Sequence, residues 1–156
     1  MEWDATDLRL LALLQDDASL TNQQLAEKAL TSPATALRRV KRLEDAGVIE
    51  RRVALLSAEK LGPGLTALAE VTLDRQGAEH LAAFEARAVA EAAVQQCYRV
   101  SPGPDFMLVL QVADMAAWHA LVQRLFTQDA NVRNVKSFFS VHRAKFKPAI
   151  ALPEAG

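Results

Sequence analysis

The chain has 156 residues, of which 51% are hydrophobic and 24% charged, with a formal charge of −1 and a single cysteine, Cys97. That balance is typical of a soluble globular protein and excludes a largely disordered chain, while one cysteine excludes an internal disulfide and fits a reducing compartment. The opening MEWDATDLRL is acidic where a secretory signal is basic, and no run approaches 18 apolar residues, so the expectation is a cytoplasmic protein with no membrane span.

In chain order, Leu8, Leu11 and Leu14 recur at helical spacing, Asp4 or Thr6 is placed to cap the start, and Asp16 and Asp17 close the run. Thr21 or Asn22 caps a second short helix whose inner face is Leu25, Ala26 and Ala29. Ser32 followed by Pro33 gives a cap and a first-turn proline for a third helix, from Ser32 to Ala46, closed by Gly47. Taking Val40 as the centre of its buried face puts Ala36, Leu37, Leu43 and Gly47 in the core, Thr35, Arg38 and Arg42 opposite, and Arg39 and Lys41 on the flanks. The segment VIERRVALL reads as two extended pieces of a hairpin or wing, and Gly62-Pro63-Gly64 as a break between domains.

The second half reads as a strand over Thr66 to Leu73, a helix over Ala78 to Ala93 and a strand over Val94 to Val100. After the loop SPGPD come a strand over Phe106 to Val112, a helix over Met115 to Phe126 and a strand over Val132 to Val141. The expected fold class is therefore α+β: an N-terminal winged helix-turn-helix over 1–61, then a ferredoxin-like βαββαβ sandwich over 62–150. One face of the sheet takes the helices, with Trp118, Leu121, Val122 and Leu125 as a core stripe. Phe138 and Phe139 point to opposite faces, which places one in the core and one at a subunit interface.

The charge distribution points to a polyanion. Residues 1–31 carry Arg9 and Lys28 against six acids, whereas Ser32 to Arg52 reverses the balance, with Arg38, Arg39, Lys41, Arg42, Arg51 and Arg52 against Glu44, Asp45 and Glu50. A basic run on a helix is commonly a solvated face. The short preceding helix, the tight spacing and the basic segment that follows favour insertion into a DNA major groove instead. Candidate base contacts are Ser32, Ala34, Thr35 and Arg38; candidate phosphate or groove contacts are Arg39, Arg42, Arg51 and Arg52. His80, His119 and His142 have no metal-ligand spacing, no catalytic arrangement can be argued, and Cys97 reads as a small buried residue, so no metal, cofactor or catalytic residue is expected.

The segment from Leu8 to Gly62, with its leucine-rich first helix, Leu14-Gln15-x-Asp17-Ala18, Leu25-Ala26, and Ser32 before RRVKRLE and Gly47-Val48-Ile49, resembles the Lrp/AsnC family of amino-acid-responsive regulators. The resemblance continues more weakly through the second half. It implies a transcription regulator that binds double-stranded DNA and assembles as a homodimer, tetramer or octamer through the second-half sheets. It also implies a small-molecule effector, an amino acid or related metabolite, bound between dimers. The family's Gly-x-x-Asp effector element corresponds here to Ser101-Pro102-Gly103-Pro104-Asp105, making Ser101, Gly103, Pro104 and Asp105 the candidate effector contacts. Pro102 stands where glycine is expected, and the two prolines fix φ and remove two backbone donors. Two other functions are compatible with this layout: relatives that act on haem precursors as sirohaem decarboxylases, which a visible absorption band would reveal, and a ligand-independent architectural DNA-binding protein.

Overall fold

The computed structural model describes residues 3–62 and 64–154. Pro63 of the expected break, and the last two residues of the chain, lie outside the described residues. Two compact units form: one runs to Leu56 and includes the chain from Lys145 onward, and the other spans Ser57–Ala144.

The first unit is built on three helices, α1 (Ala5–Asp16), α2 (Asn22–Lys28) and α3 (Pro33–Asp45). Each begins at a side-chain cap that satisfies amide groups left without helical partners: Asp4 accepts from Thr6 and Asp7, Thr21 from Gln24, and Ser32 from Thr35. Leu10, Leu14, Leu25, Ala26, Ala29, Ala36 and Val40 make the common core. The turn into α3 passes through Leu30 at φ 57°, and α3 ends at Gly47 at φ 71°. That left-handed step turns Val48 and Ile49 back so that both amides donate to the Leu43 carbonyl. Gly47 is itself exposed and outside the helix, so the core position expected for it is corrected.

No strand forms over residues 50–56. The expected hairpin is replaced by an extended, exposed segment carrying Val53, Leu55 and Leu56 outward. The C-terminal segment joins this unit: the Gln15 side-chain amide donates to the Ile150 carbonyl at 2.9 Å and accepts from the Ile150 amide at 3.1 Å. Pro148, Ile150 and Leu152 line a cleft of about 800 Å³ together with Leu11, Leu14, Ile49 and Val53. The compact units divide at 56/57 and 144/145, beside the expected domains 1–61 and 62–150.

The second unit opens with a helical turn, α4 (Ala58–Leu61), and continues β1 (Leu65–Leu73), α5 (Ala78–Ala90), β2 (Val94–Arg99), β3 (Phe106–Val112), α6 (Met115–Val122) and β4 (Val132–Phe139). A single π-helical turn, Gln123–Thr127, extends α6. The sheet is antiparallel throughout in the order β2-β3-β1-β4, the ferredoxin-like arrangement. Strand alternation sends Ala67, Ala69, Val71 and Leu73 of β1, and Phe106, Leu108, Leu110 and Val112 of β3, to one face. There they pack with Phe84 and Ala88 of α5 and with Trp118, Leu121, Leu125 and Phe126. Phe139 meets the Trp118 ring edge-on at 5.2 Å, while Phe138 is exposed. Across the outer face, Gln96, Val109, Leu68 and Phe138 stand in register.

Candidate nucleic-acid interface

Helix α3 carries most of the candidate DNA contacts, so its rotational phase decides which of them face solvent. Its buried residues are Ala36, Val40 and Leu43. At about 100° per residue their mean direction lies about 35° from Val40, on the Leu43 side. The face is thus rotated from the one expected, with two consequences. Leu37 lies about 95° from the buried centre and is 61% exposed, not core. Arg39 lies about 65° from it and is drawn inward.

Arg39 is committed to an ion cluster around the buried Asp7. Its Nη1 donates to Asp4 Oδ2 at 2.6 Å and to Asp7 Oδ1 at 2.9 Å, and the Arg42 Nη2 reaches Asp7 Oδ2 at 2.5 Å. Asp7 is 1% exposed and the Arg39 side chain 20%, whereas Arg42 keeps 52%. Asp4 is held below the usual carboxylate range, first by the Asp7 amide it accepts from and then by Arg39, and the Arg39 guanidinium is pushed above its usual value by the same carboxylates. The guanidinium expected at phosphate is thus engaged by Asp4 and Asp7, and its charge fastens α3 to the start of α1. Asp7 had a signal in the sequence, since positions 7, 10 and 14 form one helical stripe with Leu10 and Leu14.

The N-terminus of α3 is similarly built from within. Ser32 Oγ accepts from the Thr35 amide at 3.2 Å and donates to Thr35 Oγ1 at 2.9 Å. Asn22 Nδ2, a residue the sequence reading used only as an alternative cap, donates to the Pro33 carbonyl at 2.8 Å. Arg9 Nε donates to the Ala29 carbonyl at 3.0 Å, bracing the turn between α2 and α3. Thr35 is half-buried, while Ala34, Arg38 and Lys41 are exposed. Arg51 is exposed in the segment after α3, and Arg52 Nη2 pairs with Glu44 Oε1 at 2.7 Å. Among the described residues no acidic group pairs with Arg38, Lys41 or Arg51.

The SPGPD loop joins β2 to β3 in the second unit. Ser101 and Gly103 are exposed, Pro104 and Asp105 half-buried, and Gly103 sits at φ 125°. The Val100 amide donates to the Asp105 carbonyl at 3.0 Å, and the Asp105 amide to the Val71 carbonyl at 2.8 Å. Asp105 Oδ2 accepts from the Leu73 amide at 2.7 Å and from Gln76 Nε2 at 3.3 Å. The carboxylate thus ties the loop to the end of β1. Cys97 is half-buried, and burial pushes its thiol up, with Glu85 adding to the effect and Arg99 opposing it. Among the described residues, no group of three or more His, Cys, Asp or Glu is placed to hold a metal ion, and no helix is long and apolar enough to cross a membrane.

Two family models match the chain. One, described as winged helix-turn-helix DNA-binding, spans residues 4–50, and the other, described as the Lrp/AsnC ligand binding domain, spans 66–150. A leucine-responsive regulatory protein of Rhizobium meliloti is 37% identical over 145 residues, covering 93% of each chain. The Bkd operon transcriptional regulator of Pseudomonas aeruginosa is 34% identical over 148 residues, 95% of this chain and 97% of that one. The crystal structure of a transcriptional regulator from Neisseria meningitidis in complex with L-Met superposes with a TM-score of 0.87 at 31% identity, over 96% of both chains.

Proposed function

The chain belongs to the Lrp/AsnC family of DNA-binding transcription regulators, and from that premise we propose that it works as a cytoplasmic homodimer or higher oligomer whose α3 helices enter major grooves. The observation that carries this reading is the exposed cationic arc on a helix capped and braced from beneath: Arg38 and Lys41 point out, Arg51 follows, and none of the three is paired with an acid among the described residues. Ala34 and Arg38 reach base edges. Lys41, Arg51 and the outer nitrogen of Arg42 take phosphates. Ser32 and Thr35 serve chiefly to hold the helix start, and Arg52 contributes only by leaving Glu44. The subunits join through the outer sheet face, where the row from Val109 through Leu68 to Phe138 offers apolar surface.

An amino acid is the proposed effector, as in the neisserial regulator bound to L-Met. Ser101, Gly103 and Pro104 supply a rim, and Asp105 sets the shape of that rim. The chain acts by binding, with no catalytic step assigned. Fluorescence anisotropy on a promoter duplex against salt tests the reading. Three cations in each of two subunits neutralise about six phosphates, so log affinity against log salt should fall with a slope near about −5. A flat salt response on a specifically bound fragment overturns it. The two internal bonds that Asp105 Oδ2 accepts, from Leu73 and Gln76, favour a ligand-independent architectural protein as the second reading, and calorimetric silence toward all twenty amino acids would select it.

A further inference from the structure

The turn of α3 that exposes Arg38 exposes Leu37 as well, and 61% exposure is large for a leucine on a helix whose other outward residues are polar or small. Its surroundings are specific. Ala34 lies one turn before it, Arg38 is its immediate neighbour, and Lys41 lies one turn after it. Along this N-terminal part of the helix the outward arc carries no acid. Glu44 and Asp45 come only at the far end, and Glu44 is paired with Arg52. A patch meant for another protein would join further apolar residues. Here a single isobutyl group stands beside two cations, and a major-groove wall matches that pattern. Guanine presents acceptors that suit arginine or lysine, and thymine presents a C5-methyl that suits an apolar side chain.

We propose that Leu37 is a specificity-determining residue that packs against a thymine methyl in each half-site, next to the contacts of Arg38 and Lys41. The proposal rests on the DNA-binding reading above and adds to it the kind of base that is read. A buried methyl is worth about fourfold in affinity, so the effect is measurable without being essential to binding.

The test uses the full chain and a pool of random-core duplexes. Duplexes retained by the protein are resynthesised with deoxyuridine replacing thymine one position at a time, which removes only the methyl. The protein should lose about fourfold at one position per half-site, and Leu37→Ala should be indifferent at that position while keeping the same salt slope and melting temperature. Equal responses of the two proteins to every deoxyuridine overturn the proposal. So does a change in oligomer mass on Leu37→Ala without a deoxyuridine effect, which would assign the residue to a protein interface. Failure of the protein to retain any duplex removes the DNA-binding reading itself, and is told apart from the first two outcomes because no retained duplex exists to compare.

Discussion

Replacing Asp7 by asparagine keeps the side-chain shape and removes the one negative charge that Arg39 and Arg42 share. The amide then points a donor at one guanidinium, and its remaining oxygen cannot serve both. Breaking a buried ion pair by removing one partner costs about 3–5 kcal/mol. Asp7 is 1% exposed, which argues for the full value, but Arg42 is half in solvent and rehydrates, and Arg39 keeps Asp4 at 2.6 Å. The expected loss is therefore near the lower end, about 3 kcal/mol. In a unit of roughly 70 residues, where 1 kcal/mol moves the melt by about 4–8 °C, this lowers the first transition by at least about 10 °C. Far-ultraviolet circular dichroism on the full chain, by heat and by urea, reads it. A variant melting within about 3 °C of the parent refutes the cluster as a determinant of stability.

The same cluster makes a prediction that separates folding from binding. Arg39→Gln should destabilise by a comparable amount and leave DNA affinity, measured well below the melt, within about twofold. Arg38→Gln should leave the melt within about 0.5 kcal/mol, as surface changes do, and cost about 1–3 kcal/mol of DNA affinity with relaxed preference at the base it reads. If Arg39→Gln instead flattens the salt slope without lowering the melt, its guanidinium faces phosphate and the inward assignment fails.

Two other expectations concern the backbone and acid. Leu30 holds φ 57° in the turn before α3 and is 80% exposed, so Leu30→Gly should stabilise the first unit by about 1 kcal/mol, and a lowered melting temperature would contradict that. Asp4 is held low by the Asp7 amide and then Arg39, and Glu91 by its hydrogen bonds from Arg124. Both contribute stability that is complete above the ordinary carboxylate range and disappears as pH falls through their lowered values. Urea midpoints should be level from about pH 5 to 7 and fall below about pH 4, and a midpoint that rises on acidification over that range would refute the assignment.

Much of the fold could be read from local chemistry. The Ser32-Pro33 start of α3, the Thr21 cap and the β3 strand from Phe106 to Val112 follow from capping, proline preference and alternation, all of which act over a few residues. What could not be read was set by contacts distant in sequence. The phase of α3 depends on Asp7, 32 residues from Arg39, and a rotation of about 35° was enough to exchange the roles of Leu37 and Arg39. The return of the tail to the first unit rests on Gln15 and Ile150, 135 residues apart. The expected hairpin after Ile49 had suitable residues and no partner strand, and an extended segment without a ladder is indistinguishable from a strand in sequence alone.

The effector loop brings structure and function into one residue, which makes a simple deletion uninformative. Asp105 joins β2, β3 and the end of β1 through its amide, carbonyl and carboxylate. Asp105→Ala removes the acceptor for the Leu73 amide and leaves that group without a partner, a loss of about 1–3 kcal/mol, so any effect on an amino acid could be indirect. Asp105→Asn retains an oxygen for Leu73 and removes only the charge. If Asp105 contributes shape alone, the asparagine variant should melt within about 1 kcal/mol of the parent and bind the same amino acid with unchanged affinity by calorimetry. If the carboxylate also faces the ammonium group of the ligand, the variant keeps its fold and loses binding by at least about tenfold, the size expected for losing a charge-assisted hydrogen bond. That second result would show that the carboxylate, whose Oδ2 is engaged by Leu73 and Gln76, meets the ligand through Oδ1, and would overturn a purely structural role for Asp105.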